Sequence, residues 1–208
     1  MYCNIYLIDI TEIMDLAGAE LLTRERRARM ERYLRREDQA RCLAAGLLLR
    51  AVLGADNAGR ILVSPFGKPY LPDGPCFNLS HSGSMAVLLV SDNEAGVDVE
   101  QIVPYSPDVA RKVFTPKEQE WLWDQRGDSA FYMLWTGKES IMKALGLGLQ
   151  LPPESFEIRL KENEPSIALG KPWFLKWREI HGHMLCSASC ADTIKTELVR
   201  LSRNELLQ

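Results

Sequence analysis

The sequence predicts an α+β fold built on a duplicated plan. Two observations carry this reading. Helical-period segments and short strand-like runs occur in both halves of the 208 residues, and "PYSP" at 104–107 breaks the chain near its middle. The expected division is 1–103 and 104–208, with helices in each half packed on a small, mainly antiparallel sheet. The chain is long enough for a real core, and at 46% hydrophobic and 25% charged residues it is globular.

"CNIYLIDI" reads as a first strand. Thr23 then opens a long helical stretch that ends near Gly54, with one break. The first part of that stretch carries eight arginines (Arg24, Arg26, Arg27, Arg29, Arg32, Arg35, Arg36 and Arg41) against four acids, a local surplus of positive charge. "ILVSPFGKPYL" reads as strand, turn, strand, and "CFNLSHSGSMAVLLV" as strand, polar loop, strand. "DNEAG" is a turn before the short strand "VDVEQI".

In the second half "SPDVARKVF" has the Ser-Pro start of a helix, and "TPKEQEWLW" carries a capping-box pattern from Thr115 to Glu118. "FYMLWTGKESIMKAL" follows as a helix whose apolar face holds Phe131, Leu134, Trp135, Ile141, Met142 and Leu145. "SFEIRL", "SIALG", "PWFLKWREI" and "HMLCSASC" read as C-terminal strands.

Composition excludes several classes. A net charge of −3 argues against nucleic acid as a partner. The five cysteines form no C-x-x-C pair, and their odd number suits reduced thiols. The start "MYCNIYLIDI" lacks a basic region, and the longest apolar run, "MAVLLV", is far too short to span a bilayer. The expectation is a cytoplasmic protein without membrane partners.

Several residues interrupt their local patterns. In "GVDVE", alternation puts Val97 and Val99 on one strand face and Asp98 with Glu100 on the other, about 7 Å apart. Such like charges repel by about 1 kcal/mol or more, and a hard divalent cation such as Mg2+ would offset that. Taken alone, this strand reads more readily as half-exposed, with its acids facing water. Lys138 and Glu139 interrupt the apolar stripe of "WTGKESIMK". Glu139 with Lys143 is also an ordinary i, i+4 pair. Gly137 costs about 1 kcal/mol against Ala inside a helix, with no local reason for it. Lys138 and Lys143 suit a phosphate, as do Ser80 and His81 with nearby amides. Arg26 and Arg29, at i and i+3, share one helix side. Glu118 is explained by capping its own helix. "SHSG" is not the G-x-S-x-G of a serine hydrolase.

Taken together, "FNLSHSG", "GVDVE", "FTPKE", "FGKP" and a complete W-x-x-K-E-S-x-x-K block in "WTGKESIMK" resemble the 4'-phosphopantetheinyl transferases of the Sfp type, from about Thr23 to Leu160. The resemblance implies two pseudo-symmetric halves with coenzyme A in the cleft between them. It also implies transfer of phosphopantetheine to a serine of an acyl or peptidyl carrier protein, releasing 3',5'-ADP. On that reading Asp98, Glu100 and Glu139 hold Mg2+, and Lys138 and Lys143 contact phosphates. Ser80 and His81 meet the 3'-phosphate side, Lys68 meets the nucleotide, and Arg26 and Arg29 fall where the family often has phosphate-binding lysines. Glu139 is the candidate base, with Glu118 as the alternative. Both halves in one chain imply a monomer. A metal-dependent nuclease lacks its acid-x-lysine here, since Gln101 and Ile102 follow Glu100. A non-catalytic coenzyme A or nucleotide-binding module is the other alternative.

Overall fold

The computed structural model describes residues 2–125, 127–160, 171–191 and 195–208. Strand β1 (Tyr2–Asp9) leads through short 3-10 turns to helix α1 (Arg24–Glu31), where the Thr23 hydroxyl accepts the Arg26 N–H as an N-cap. After one break comes α2 (Arg36–Leu53), which buries Ala40, Leu43, Ala44, Leu47 and Leu48 at helical spacing. A short α3 (Ala55–Gly59) precedes a small hairpin of β2 (Leu62–Val63) and β3 (Pro69–Tyr70). Strands β4 (Cys76–Ser82), β5 (Met85–Ser91) and β6 (Ala95–Gln101) follow.

The second half begins with α4 (Pro107–Val113) and α5 (Pro116–Asp124), the latter closed by the expected Thr115–Glu118 capping box. Helix α6 (Ser129–Leu145) carries the interrupted stripe. Strands β7 (Phe174–Ile180), β8 (His183–Ser189) and β9 (Lys195–Arg200) and a short α7 (Arg203–Leu206) complete the described chain.

The strands form a four-stranded sheet, β4-β5-β1-β9, and a three-stranded sheet, β6-β8-β7, besides the small hairpin. Pairing is antiparallel except for β1 with β9, which runs parallel. The larger sheet stacks on the smaller through Ile5, Leu7, Val87 and Leu89 against Val97, Val99 and Leu185. Its other face, with Leu88 and Val90, packs under Leu43 and Leu47 of α2. The smaller sheet turns Met184, Cys186 and Ala188 toward Leu134, Ile141 and Met142 of α6. Both faces of β5 are therefore covered, which is why "MAVLLVS" is buried at every position rather than alternating.

The α+β class and the small, mostly antiparallel sheets agree with expectation. The division after residue 103 does not follow the sheets. β6, before that point, pairs with β8, and β9, from the far end, pairs with β1. Each sheet thus draws on both halves, because Val97 and Val99 need β8 beside them to close the inter-sheet core. "SFEIRL" is not a strand. Phe156 and Ile158 are buried, but the Ile158 N–H donates to Glu118 Oε1 at 2.7 Å instead of to a neighbouring strand. "SIALG" lies outside the described residues. His81 sits within β4 rather than in a loop, and only Gly83 and Ser84 separate β4 from β5. Among the described residues no helix is long and apolar enough to cross a membrane.

Candidate active site

The site grows from a seam between two strand edges. β4 and β6 border different sheets, and side chains of β4 supply what a missing ladder would. Asn78, Ser80 and Ser82 point toward β6 at the two-residue period of a strand. Asn78 Oδ1 accepts the Val97 N–H at 3.0 Å, Ser80 Oγ the Val99 N–H at 3.3 Å, and Ser82 Oγ the Gln101 N–H at 3.1 Å. The two hydroxyls donate onward, Ser80 to Asp98 Oδ1 at 2.7 Å and Ser82 to Glu100 Oε2 at 2.6 Å.

Helix α6 closes over the same carboxylates. A Cβ built at Gly96 would lie 2.0 Å from the Ser140 carbonyl oxygen and 2.6 Å from the Ala144 nitrogen. The bare glycine lets α6 approach β6 backbone to backbone. Lys143, in the last turn of the helix, then places Nζ 2.5 Å from Asp98 Oδ1 and 2.9 Å from Ser80 Oγ. Asp98 is 2% exposed, and its Oδ2 is buried with no hydrogen-bond partner among the described residues.

Glu100 and Glu139 lie near enough to Asp98 to feel its charge. Burial pushes both carboxyls above their ordinary range, and the Asp98 charge pushes them further. The Ser82 hydrogen bond and Lys143 pull Glu100 back, and Lys143 does the same for Glu139. Three mutually repelling acids beside one ammonium are a charge arrangement that a cation stabilises.

The residues fit Mg2+. Among the described residues no three His, Cys, Asp or Glu side chains are already drawn together as a metal cage. Mg2+ does not require one, because it binds through one or two carboxylates and keeps several waters. Asp98 Oδ2, with no hydrogen-bond partner among the described residues, is a hard oxygen donor of the kind Mg2+ takes.

Several expected ligand contacts are corrected. Lys138 is 0% exposed and cannot reach a phosphate. Its ammonium lies 2.8 Å from Glu118 Oε2 and donates to the carbonyls of Pro153 and Phe156, over the Phe156 ring. Glu118, 2% exposed, is equally committed: Oε2 accepts the Thr115 N–H and Oε1 the Ile158 N–H. It is therefore no candidate base. Ser80 is buried, with its hydrogen given to Asp98 and both lone pairs taken by Val99 and Lys143, so its hydroxyl has no capacity left for a phosphate. Gly137 finds its reason here as well. A Cβ there would lie 2.8 Å from Ile158 and 3.1 Å from Trp177, so the glycine lets the segment holding Lys138 close on α6.

Of the expected basic residues, Arg29 lies near enough to His81 of β4 to act on its charge. Burial lowers the His81 pKa, and the cations Lys143, Arg41 and Arg29 lower it further. Arg29 is exposed. Arg26 is half-buried, with its stem against Gly46 of α2, and burial depresses its pKa. Lys68 is half-buried and donates to the Ala144 carbonyl, a cation at the C-terminus of α6. In the sequence Arg41 is one arginine among eight in a basic stretch. It donates to the Gly83 carbonyl at 2.7 Å and pairs with Asp38 at 2.5 Å, beside the β4–β5 turn. Asn78 and Ser82 are not singled out by sequence reasoning, and the structure gives them their part in the seam. Their signal was the period-two N-x-S-x-S of "NLSHS".

Comparison with known proteins identifies the family. The model of the 4'-phosphopantetheinyl transferase superfamily matches residues 94–194, a span that includes β6, α6 and β8. A 4'-phosphopantetheinyl transferase of Bacillus subtilis is 38% identical over 149 residues, 67% of this chain and 66% of the relative. The transferase Sfp of Bacillus subtilis strain 168 is 31% identical over 198 residues, 88% of each chain. The transferase HetI of Nostoc is 33% identical over 176 residues, 75% of this chain and 71% of the relative. The chain belongs to the 4'-phosphopantetheinyl transferase superfamily.

Proposed function

We propose that this chain transfers the 4'-phosphopantetheine of coenzyme A to a serine of an apo acyl or peptidyl carrier protein, releasing 3',5'-ADP, and that it depends on Mg2+. One observation supports the metal-assisted reading above the rest: Asp98 Oδ2, buried and unpartnered among the described residues, within an acidic group that faces the Lys143 ammonium. Coenzyme A lies in a cleft between two pseudo-symmetric halves, and the chain acts as a cytoplasmic monomer.

Asp98, Glu100 and Glu139 hold Mg2+, which when bound supplies positive charge against the pyrophosphate. His81, Arg29 and Arg41 bind the 3'-phosphate as charge-assisted donors. The carrier serine oxygen forms a bond to the phosphorus bearing pantetheine, and the bond from that phosphorus to the bridging oxygen of 3',5'-ADP breaks. Glu139, one turn before Lys143 on α6, takes the serine proton. Lys143 stabilises the negative charge that grows on the bridging oxygen.

The test is to mix the protein with coenzyme A, Mg2+ and apo carrier proteins of both classes and weigh the carriers. A gain of one phosphopantetheine is expected, lost on chelation and in Asp98→Asn. If neither carrier gains mass, the transferase reading of this chain is overturned.

A further inference from the structure

We propose that Ser82 is a positioning residue, whose hydroxyl fixes the Glu100 carboxylate in the orientation that receives the metal. The inference rests on the assignment of Glu100 as a metal ligand. Its basis is the distribution of one hydrogen and two lone pairs. Ser82 Oγ accepts the Gln101 N–H at 3.1 Å, which anchors the oxygen to β6. Its hydrogen goes to Glu100 Oε2 at 2.6 Å, the short range of a hydroxyl bonded to a carboxylate. Sealing the seam needs only the acceptor. The donated hydrogen does something more, because it selects one carboxylate orientation.

The comparison with Ser80 sharpens this. Ser80 makes the same pair of bonds one period earlier, to the Val99 N–H and to Asp98 Oδ1. Asp98 is additionally clamped by Lys143. Glu100 is less buried than Asp98, with a longer and freer side chain, and among the described residues Ser82 is the side chain that donates to it. Asp98 is therefore oriented twice over, while the orientation of Glu100 rests on Ser82. The oxygen of Glu100 not bonded to Ser82 is left for the ion. Hydrogen bonds from outside the ligand sphere to ligating carboxylates commonly carry ten- to hundredfold effects on metal affinity.

The experiment titrates the full-length protein with Mn2+ alone, without coenzyme A, and reads bound metal by electron paramagnetic resonance. Melting temperature is measured alongside. Ser82→Ala is expected to weaken Mn2+ binding about tenfold. Ser82→Thr, which keeps the hydroxyl, should bind within about threefold of the parent, and its isostere Ser82→Val should be as weak as Ser82→Ala. The Thr and Val variants decide the matter if Ser82→Ala does not fold. Wild-type affinity in Ser82→Ala or Ser82→Val overturns the proposal, even where the melting temperature falls. So does a Ser82→Thr variant as weak as Ser82→Val. Glu100→Gln separates the two levels. If it binds Mn2+ like the parent, Glu100 is not a ligand and the underlying assignment fails. If it loses binding while Ser82→Val does not, only the role of Ser82 fails.

Discussion

Gly96 of β6 and Ser140 of α6 meet backbone to backbone, so closely that a methyl on Gly96 would lie 2.0 Å from the Ser140 carbonyl oxygen. That contact sets the depth at which α6 lies on β6, and so the reach of Lys143 to Asp98. Gly96→Ala must move a helix rather than a side-chain tip. It should destabilise the protein by about 3 kcal/mol, the upper range of overpacking. Carrier modification should fall more than Gly96's distance from any ligand would suggest. Urea denaturation and carrier mass together check this, and a neutral Gly96→Ala would mean that the helix shifts freely.

Lys138 belongs to the fold rather than to coenzyme A. Lys138→Met leaves Glu118 buried without its cation, which should cost about 3–5 kcal/mol. The KM for coenzyme A should change little in whatever fraction remains folded. Lys138→Met with Glu118→Gln should regain much of the stability, because no lone charge is then buried. Denaturation midpoints of the single and double variants give the answer.

Lys143 acts on charge that develops during transfer. Lys143→Ala should lower kcat roughly a hundredfold, as expected for one preorganised electrostatic group. Lys143→Arg should recover part of that, since a planar fork does not replace a compact ammonium. The measurement is carrier modification at saturating coenzyme A. A full kcat with only a raised KM would make Lys143 a uniform binding contact.

His81 should discriminate coenzyme A from dephospho-coenzyme A. The parent is expected to bind coenzyme A more tightly, with an advantage that shrinks as salt rises and the Debye length falls from about 10 Å at 0.1 M to about 3 Å at 1 M. His81→Ala and Arg41→Ala should each reduce the ratio of the two affinities and leave dephospho-coenzyme A binding nearly unchanged. Calorimetric titration with both compounds tests it.

Buried thiols set an alkaline limit. Burial pushes Cys3 from 9.0 up to about 11, and Cys186 upward also. Between pH 9 and about 11 the unfolded chain releases the Cys3 proton and the folded chain keeps it, so stability falls as pH rises. Cys3 alone accounts for about 2–3 kcal/mol across that window, at 1.36 kcal/mol per pKa unit. Cys3→Ala should flatten that part of the pH–stability curve. Cys76, the exposed thiol, should alkylate first in the native protein.

The sequence by itself determined the local elements. The period-3.6 stripes of α2 and α6, the Thr23 and Thr115 caps and the alternation of "GVDVE" are written in neighbouring residues, and each of these elements formed, although β6 begins already at Ala95 and Asp98 is buried rather than facing water. It also determined which residues are out of place: Asp98 and Glu100 opposite two valines, and Lys138 and Glu139 in an apolar stripe. Tertiary structure alone decided what those charges meet. Lys138 and Lys143 stand five positions apart on one helix. The first is buried against Glu118 and the second reaches Asp98, 45 residues away. Helical spacing fixes the face a side chain takes, but the partner arriving on that face comes from distant chain. The same holds for β9, which joins β1 across nearly the whole sequence. It holds for Ser82, whose two bonds depend on β6 lying beside β4 at a spacing no local pattern encodes.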